Sequence, residues 1–322
     1  MTSRSTLSAL KPYVEPFRID GGKAFQLRSH STDGKGGLHK ETGKKLIEAN
    51  RARLSELQEK LYAQDRWSLL LIFQGMDAAG KDSAIKSVFD GVNPQGCHVT
   101  AFKTPSSNEL DHDFMWRHTP HLPQRGRIGI FNRSYYEECL VVRVHPELLA
   151  KQKIPPELAT KHIWRDRFED IAAFEKYLTR NGTVVLKFFL NVSKEEQRLR
   201  FLDRLDEPAK NWKFSSADIT ERAVWHKYQD AYQDLIDNTA SPDAPWHVVP
   251  ADHKWFARVV IGSTIVSALE KLDLKFPTVE GEAKAKLVPI REALEKEAPV
   301  LEKAVVVKKA VVKKTKKAPA KV

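Results

Sequence analysis

Cysteine is nearly absent: Cys97 and Cys139 are the only two in 322 residues. No disulfide framework is suggested, and buried, inert thiols in a cytoplasmic protein are the expectation. Long apolar runs are lacking as well. None approaches the ~20 residues of a membrane span, and the first seventeen residues show no secretory pattern. Metal-ligand spacing is missing among His98, His118, His121, His226, His247 and His253. Acid is missing where lysine is densest: residues 303–322 hold eight lysines and no Asp or Glu. Removing those eight charges from the net +11 leaves +3 for the other 302 residues. The body is therefore only mildly basic, so whole-protein charge does not argue for nucleic acid. The tail stays open between a solubilising disordered segment and a binder of polyanions through counterion release.

What is present is ordinary for a globular chain, with 41% hydrophobic and 30% charged residues. Residues 1–40 are polar, without a period, and read as an arm. Over 41–62, Leu46, Ile47, Leu54, Leu57 and Leu61 recur at helical spacing. Residues 68–73 (SLLLIF) form a continuous apolar run, the mark of a strand buried on both faces. Further strands are expected at 98–102, 129–132, 183–190 and 246–250. Helices are expected at 84–89, 106–117, 157–180, 194–206, 216–238 and 254–271. Strands alternating with helices predict a parallel sheet in a three-layer α/β/α domain. That domain spans 41–277. Residues 278–322 form a charged, Lys-rich tail expected to be disordered, with room for one more helix over 278–302.

The run from Gly75 to Lys81 fits G-x-x-x-x-G-K between a strand and a helix. Glycines let backbone N–H groups turn around an anion, and the helix start adds positive potential. Gly75, Ala78, Ala79, Gly80, Lys81, Asp82 and Ser83 are the candidate phosphate cradle, with Lys81 as its point charge. Two departures stand out. Asp82 occupies the place where a Ser or Thr normally meets Mg²⁺, and Asp77 sits inside the loop. An acid facing a polyanion is repulsive unless a metal or a proton lies between them. Asp77 thus works near Mg²⁺ or on the acceptor phosphate, or else points outward and caps the helix.

A second set of candidates follows the strand at 129–132. Ligands in open α/β sheets bind at the carboxyl ends of strands. Asn132 stands where a metal-holding aspartate is usual, Arg133 can grip phosphate oxygens bidentately, and Glu137 or Glu138 could supply the missing carboxylate. Solvated acids at a helix start are the plainer alternative. Residues 193–214 are rich in cations, with Leu199, Leu202 and Leu205 on one face and Arg200 and Arg204 four apart on another. They read as a helical lid that closes over phosphates, or as a solvated helix of Glu/Arg pairs. Phe102, Trp116 and Trp255 could stack on a base, although core packing is the commoner fate.

Taken together, FQGMDAAGKD (73–82), FDGVNPQG (89–96), FMWRHTPHLPQRG (114–126), IFNRSYYEECLVVRVHPE (130–147), LKFFLNVSKEEQRLR (186–200), NWKF (211–214) and APWHVVPADHKWF (244–256) resemble the family-2 polyphosphate kinases. The resemblance covers about residues 15–277. It implies a P-loop kinase fold related to thymidylate kinase, and Mg²⁺-dependent phosphate transfer between inorganic polyphosphate and a nucleotide. It further implies Asp77, Lys81, Arg133 and Glu137 as catalytic residues, with Asp77 and Glu137 on the metal. Arg117 and Asn132 join the phosphate site, and Arg200, Arg204 and Lys213 belong to the lid. Diphosphate-specific members typically carry an aspartate in place of Asn132. The stretch Asn-Arg-Ser-Tyr-Tyr-Glu-Glu is similar to the subgroup that uses mono- and diphosphates. Adenine nucleotides, with guanine in the wider reading, and a homo-oligomer are expected. An ATP-dependent nucleotide or nucleoside kinase, and a non-catalytic binder using its basic tail, remain the alternatives.

Overall fold

A computed structural model describes residues 3–215 and 217–297. The chain divides into two units, residues 1–276 and 277–322. The second contributes one described element, α12 (Gly281–Glu297). The end of the expected tail, including its lysines at 303–322, lies outside the described residues.

In the first unit six strands form one sheet: β1 (Arg18–Ile19), β2 (Ser68–Gln74), β3 (Cys97–Ala101), β4 (Ile128–Asn132), β5 (Thr183–Asn191) and β6 (Trp246–Pro250), in the order β1-β6-β5-β2-β4-β3. All pairs are parallel except β1 with β6. The sheet is thus mixed at one edge, where a wholly parallel one was expected. β2 sits at its centre with every residue buried, as its unbroken apolar run requires.

The helices are α1 (Ser3–Leu10), α2 (Lys40–Gln64), α3 (Lys81–Val88), α4 (Ser107–Leu110), α5 (Val141–Val144), α6 (Pro146–Leu149), α7 (Ile163–Arg180), α8 (Lys194–Asp206), α9 (Ala217–Ala223), α10 (Trp225–Thr239) and α11 (Lys254–Glu270). α11 is apolar almost all round and packs on α1, α2 and α3, while α7 packs on β5 and α10. A helix without a polar face must be covered on every side, and these two groups form the outer layers of an α/β/α sandwich.

The differences from the sequence reading have local causes. Residues 106–117 form only the short α4, because Asp113 Oδ1 accepts from the N–H groups of Met115 and Trp116 and diverts the chain into turns. The helix expected over 216–238 breaks at Val224 into α9 and α10. The segment read as an arm sends Leu10, Val14, Phe25 and Leu27 into the core and pairs β1 with β6.

The topology places the site. The chain runs from β2 outward to β3, back to β4, and then across β2 to β5. Such a reversal opens a crevice at the carboxyl ends of the strands. The Gly75–Lys81 loop leaves β2 there, and Arg133 leaves the neighbouring β4, with Phe73 and Asn132 in register.

Candidate active site

The loop between β2 and α3 is held from behind. Gly75 has φ +156°, and a Cβ there would lie 3.1 Å from both the Leu190 carbonyl oxygen and Ala79 Cβ, so only glycine fits without a shift. Ala78 accepts a left-handed φ of +60°. Arg200 of α8 explains how that conformation is kept. Its Nη1 donates to the carbonyls of Ala78 and Ala79 at 2.9 and 2.8 Å, and its Nη2 to those of Ala251 and Asp252 at 2.5 and 3.2 Å. Its Nε donates to Glu196 at 2.7 Å. A trans peptide points N–H opposite to C=O. Drawing the Ala79 carbonyl outward therefore turns the Gly80 N–H into the loop. Gln197 adds a bond from Nε2 to the Asp77 carbonyl at 2.9 Å.

Lys81 opens α3 and is buried. Its Nζ reaches back to the carbonyls of Gly75 at 2.6 Å and Met76 at 3.3 Å. Burial first, then the charge of Arg133, pulls its pKa down to about 8 against the opposing pull of Asp77, Glu137 and Asp82. Ser83 turns its hydroxyl onto the Gly80 carbonyl at 3.0 Å, and Asp82 Oδ1 accepts from Asn132 Nδ2 at 2.5 Å.

Arg133 ties the two halves of the site together. Its backbone φ is +64°, and its N–H donates to the Phe73 carbonyl at 3.0 Å. Its guanidinium meets Asp77 at 2.9 Å and Glu137 at 3.3 Å. Glu137 above all, with Asp77, drives its pKa further upward, so it stays cationic. Gln74 is fully buried beneath them. With its amide turned so that both ends are satisfied, it donates to Glu137 Oε1 at 2.9 Å and accepts from the Ser134 N–H at 3.1 Å. Glu138 points the other way, into a buried pair with Arg167 at 2.5 Å, joined by Gln152 at 2.6 Å. The two adjacent acids thus part company: Glu137 faces the loop and Glu138 braces α7.

The structure therefore gathers Asp77, Lys81, Asp82, Asn132, Arg133 and Glu137 at one strand edge. Asp77 is half-buried and faces Arg133. Among the described residues no cluster of three or more His, Cys, Asp or Glu side chains is placed to hold a metal by itself. Two carboxylates flanking an open loop are an oxygen-only donor set. That fits a hard divalent cation sharing its shell with substrate phosphates.

Other expectations land differently. Arg117 nears the edge through Phe102, over whose ring it lies at 5.6 Å, but Glu109 at 3.1 Å and the Lys103 carbonyl at 2.8 Å engage its guanidinium. Arg200 is no free lid cation; its donors are spent on main chain and Glu196. The apolar face foreseen on α8 is solvent-exposed at Leu199, Leu202 and Leu205, while Gln197, Arg200 and Phe201 turn inward. Polar carbonyls at the back of the loop need donors, and that need orients the helix. Arg204 meets Asp218 at 3.6 Å. The Lys213 side chain is outside the described residues. Phe102 and Trp255 pack into or against the core, and Trp116 stacks on His112. Gln74 and Gln197 escaped the sequence reading because a lone glutamine carries no spacing signal.

Fold and loop define a kinase of the P-loop class. The profile of the polyphosphate kinase 2 family matches residues 37–277. The ADP-polyphosphate phosphotransferase of Rhodopseudomonas palustris is 50% identical over 256 residues, 79% of this chain and 89% of that protein. The AMP/ADP-polyphosphate phosphotransferase of Meiothermus ruber is 38% identical over 269 residues, 83% and 97% of the two chains. The crystal structure of polyphosphate kinase 2 from Arthrobacter aurescens TC1 superposes with a TM-score of 0.79 at 39% identity, covering 86% of this chain and 96% of that one. The chain belongs to the polyphosphate kinase 2 family and is an enzyme. No helix among the described residues is long and apolar enough to cross a membrane.

Proposed function

We propose that this enzyme transfers phosphate between inorganic polyphosphate and the phosphate of an adenine nucleotide, taking AMP to ADP and ADP to ATP. The observation that carries the reading is the convergence of Asp77 and Glu137 on Arg133 at the mouth of the loop closed by Lys81. Both reacting groups are phosphate anions, so the acceptor needs no strong general base, and positioning with charge neutralisation carries the rate. In this reading the loop amides and Lys81 take the terminal phosphates of the donor, and Arg133 takes the group in transfer. Asp77 and Glu137 are the carboxylates that would hold Mg²⁺, which bound there neutralises charge on donor and acceptor oxygens. Asn132 spends its amide on Asp82 and adds no charge against an incoming nucleotide phosphate. That favours a site open to monophosphates as well as diphosphates. Guanine acceptors, a homo-oligomeric assembly and a cytoplasmic setting complete the proposal.

The test is a product assay with purified protein, Mg²⁺ and polyphosphate, without ATP, offering AMP, ADP, GMP and GDP separately. Formation of the next higher nucleotide from AMP and ADP is expected. In Lys81→Ala, turnover should fall by about three orders of magnitude or more, the loss typical of removing a charge made for the transition state. Product formed only when ATP is the donor would replace this reading with a conventional nucleotide kinase.

A further inference from the structure

Tyr135 and Tyr136 lie between Arg133 and Glu137 in the chain, and both rings are completely buried. Their hydroxyls converge on a single atom, Oε1 of Glu175 in α7, at 2.9 and 2.8 Å. The other carboxylate oxygen accepts from Lys187 Nζ of β5 at 2.5 Å. Lys187 uses its two remaining protons on Tyr136 Oη at 3.0 Å and the Thr239 carbonyl of α10 at 2.8 Å. An ammonium has three donors, and all three are placed.

A closed ionic network in a core is weak support for stability. The desolvation of two charges offsets their attraction, and apolar residues of similar volume often serve as well or better. What apolar packing lacks is direction. This network fixes the rotation of the turn Tyr135–Cys139 against α7, β5 and α10 at once, and Glu137 is the next residue along that turn. Resting on the phosphotransfer proposed above, we infer that Glu175 and Lys187 are positioning residues that hold the Tyr135-Tyr136 turn so that Glu137 meets Arg133 opposite Asp77.

The experiment replaces the pair by apolar side chains, Glu175→Leu with Lys187→Met, and compares steady-state kinetics and thermal unfolding with the unaltered protein. The melting temperature should fall, because both buried phenol hydroxyls and the Thr239 carbonyl lose their partners, with the variant still folded at the assay temperature. With polyphosphate and ADP, kcat should fall about 10- to 100-fold, the scale of a catalytic group misplaced by ~1 Å. KM for polyphosphate should hold, because Lys81 and the loop are not touched. If the double variant does not fold, Tyr135→Phe with Tyr136→Phe carries the test. It deletes only the two hydroxyls, and a several-fold loss of kcat at constant KM is expected. A folded variant with parental kcat, or a loss expressed in KM for polyphosphate instead, overturns the inference alone. An unaltered protein that makes no nucleotide product overturns the proposed function and this inference with it.

Discussion

Lys81 holds its charge where water scarcely reaches, and the consequence is a pH dependence of known sign. Its folded pKa, about 8, lies below the ordinary 10.5. Below pH 8 the ammonium is charged in both folded and unfolded chains, and its burial is a steady cost. Between pH 8 and 10.5 the unfolded chain binds the proton and the folded one does not, so folding stability gained from this group rises with pH. Across that window the protein should gain on a Lys81→Met variant, by roughly 3 kcal/mol at most, in urea unfolding at stepped pH. Tripolyphosphate binding should move the opposite way. The anion needs the charged ammonium, so titration calorimetry should show affinity falling from pH 8 upward in the parent and a flatter profile in Lys81→Met.

Among the elements, α8 shows best how side chains read as functional can serve the frame instead. Arg200 joins the back of the phosphate loop to the end of β6 through four carbonyls. Arg200→Leu strands the buried carbonyls and leaves the partly exposed Glu196 unpaired, and a loss of about 1–3 kcal/mol in urea unfolding is expected. Arg200→Lys should recover little, because one compact ammonium cannot span carbonyls that a planar fork reaches from both sides. A small loss in both variants would mean that water satisfies these groups. The strands were legible because β2, β4, β5 and β6 are buried runs whose composition leaves no other fate. The loop was legible because its glycines and lysine have a spacing tied to a ligand. The facing of α8 was not, since its leucines repeat at helical spacing yet point to solvent, and the decision is made by carbonyls distant in sequence. β1 was invisible for a related reason: two residues have no period. Glu137 was favoured over Glu138 in the sequence reading, but the partner that claims the second, Arg167, is distant in sequence.

At the scale of the whole molecule, charge and chemistry separate. Among the described residues, every side chain placed at the phosphate loop belongs to residues 1–276, and the family profile ends at 277. Most of the excess positive charge lies beyond, in the eight lysines of 303–322. The core of the first unit closes on itself. α11 buries its faces against α1, α2, α3 and the sheet, and Leu274 is the last residue of the buried cluster. A chain ending at Phe276 should therefore fold as the full chain does, with a melting temperature unchanged to within ~2 °C, since it keeps every described residue of the buried cluster. At saturating polyphosphate and ADP its kcat should match the full-length value, because the groups proposed to neutralise the transferred phosphate are all retained. The measurement is a side-by-side comparison of the two chains by thermal unfolding and by nucleotide product. A marked drop in kcat with an unchanged melting temperature would mean that residues 277–322 supply a group to the reaction. The assignment of catalysis to Asp77, Lys81, Arg133 and Glu137 would then be incomplete.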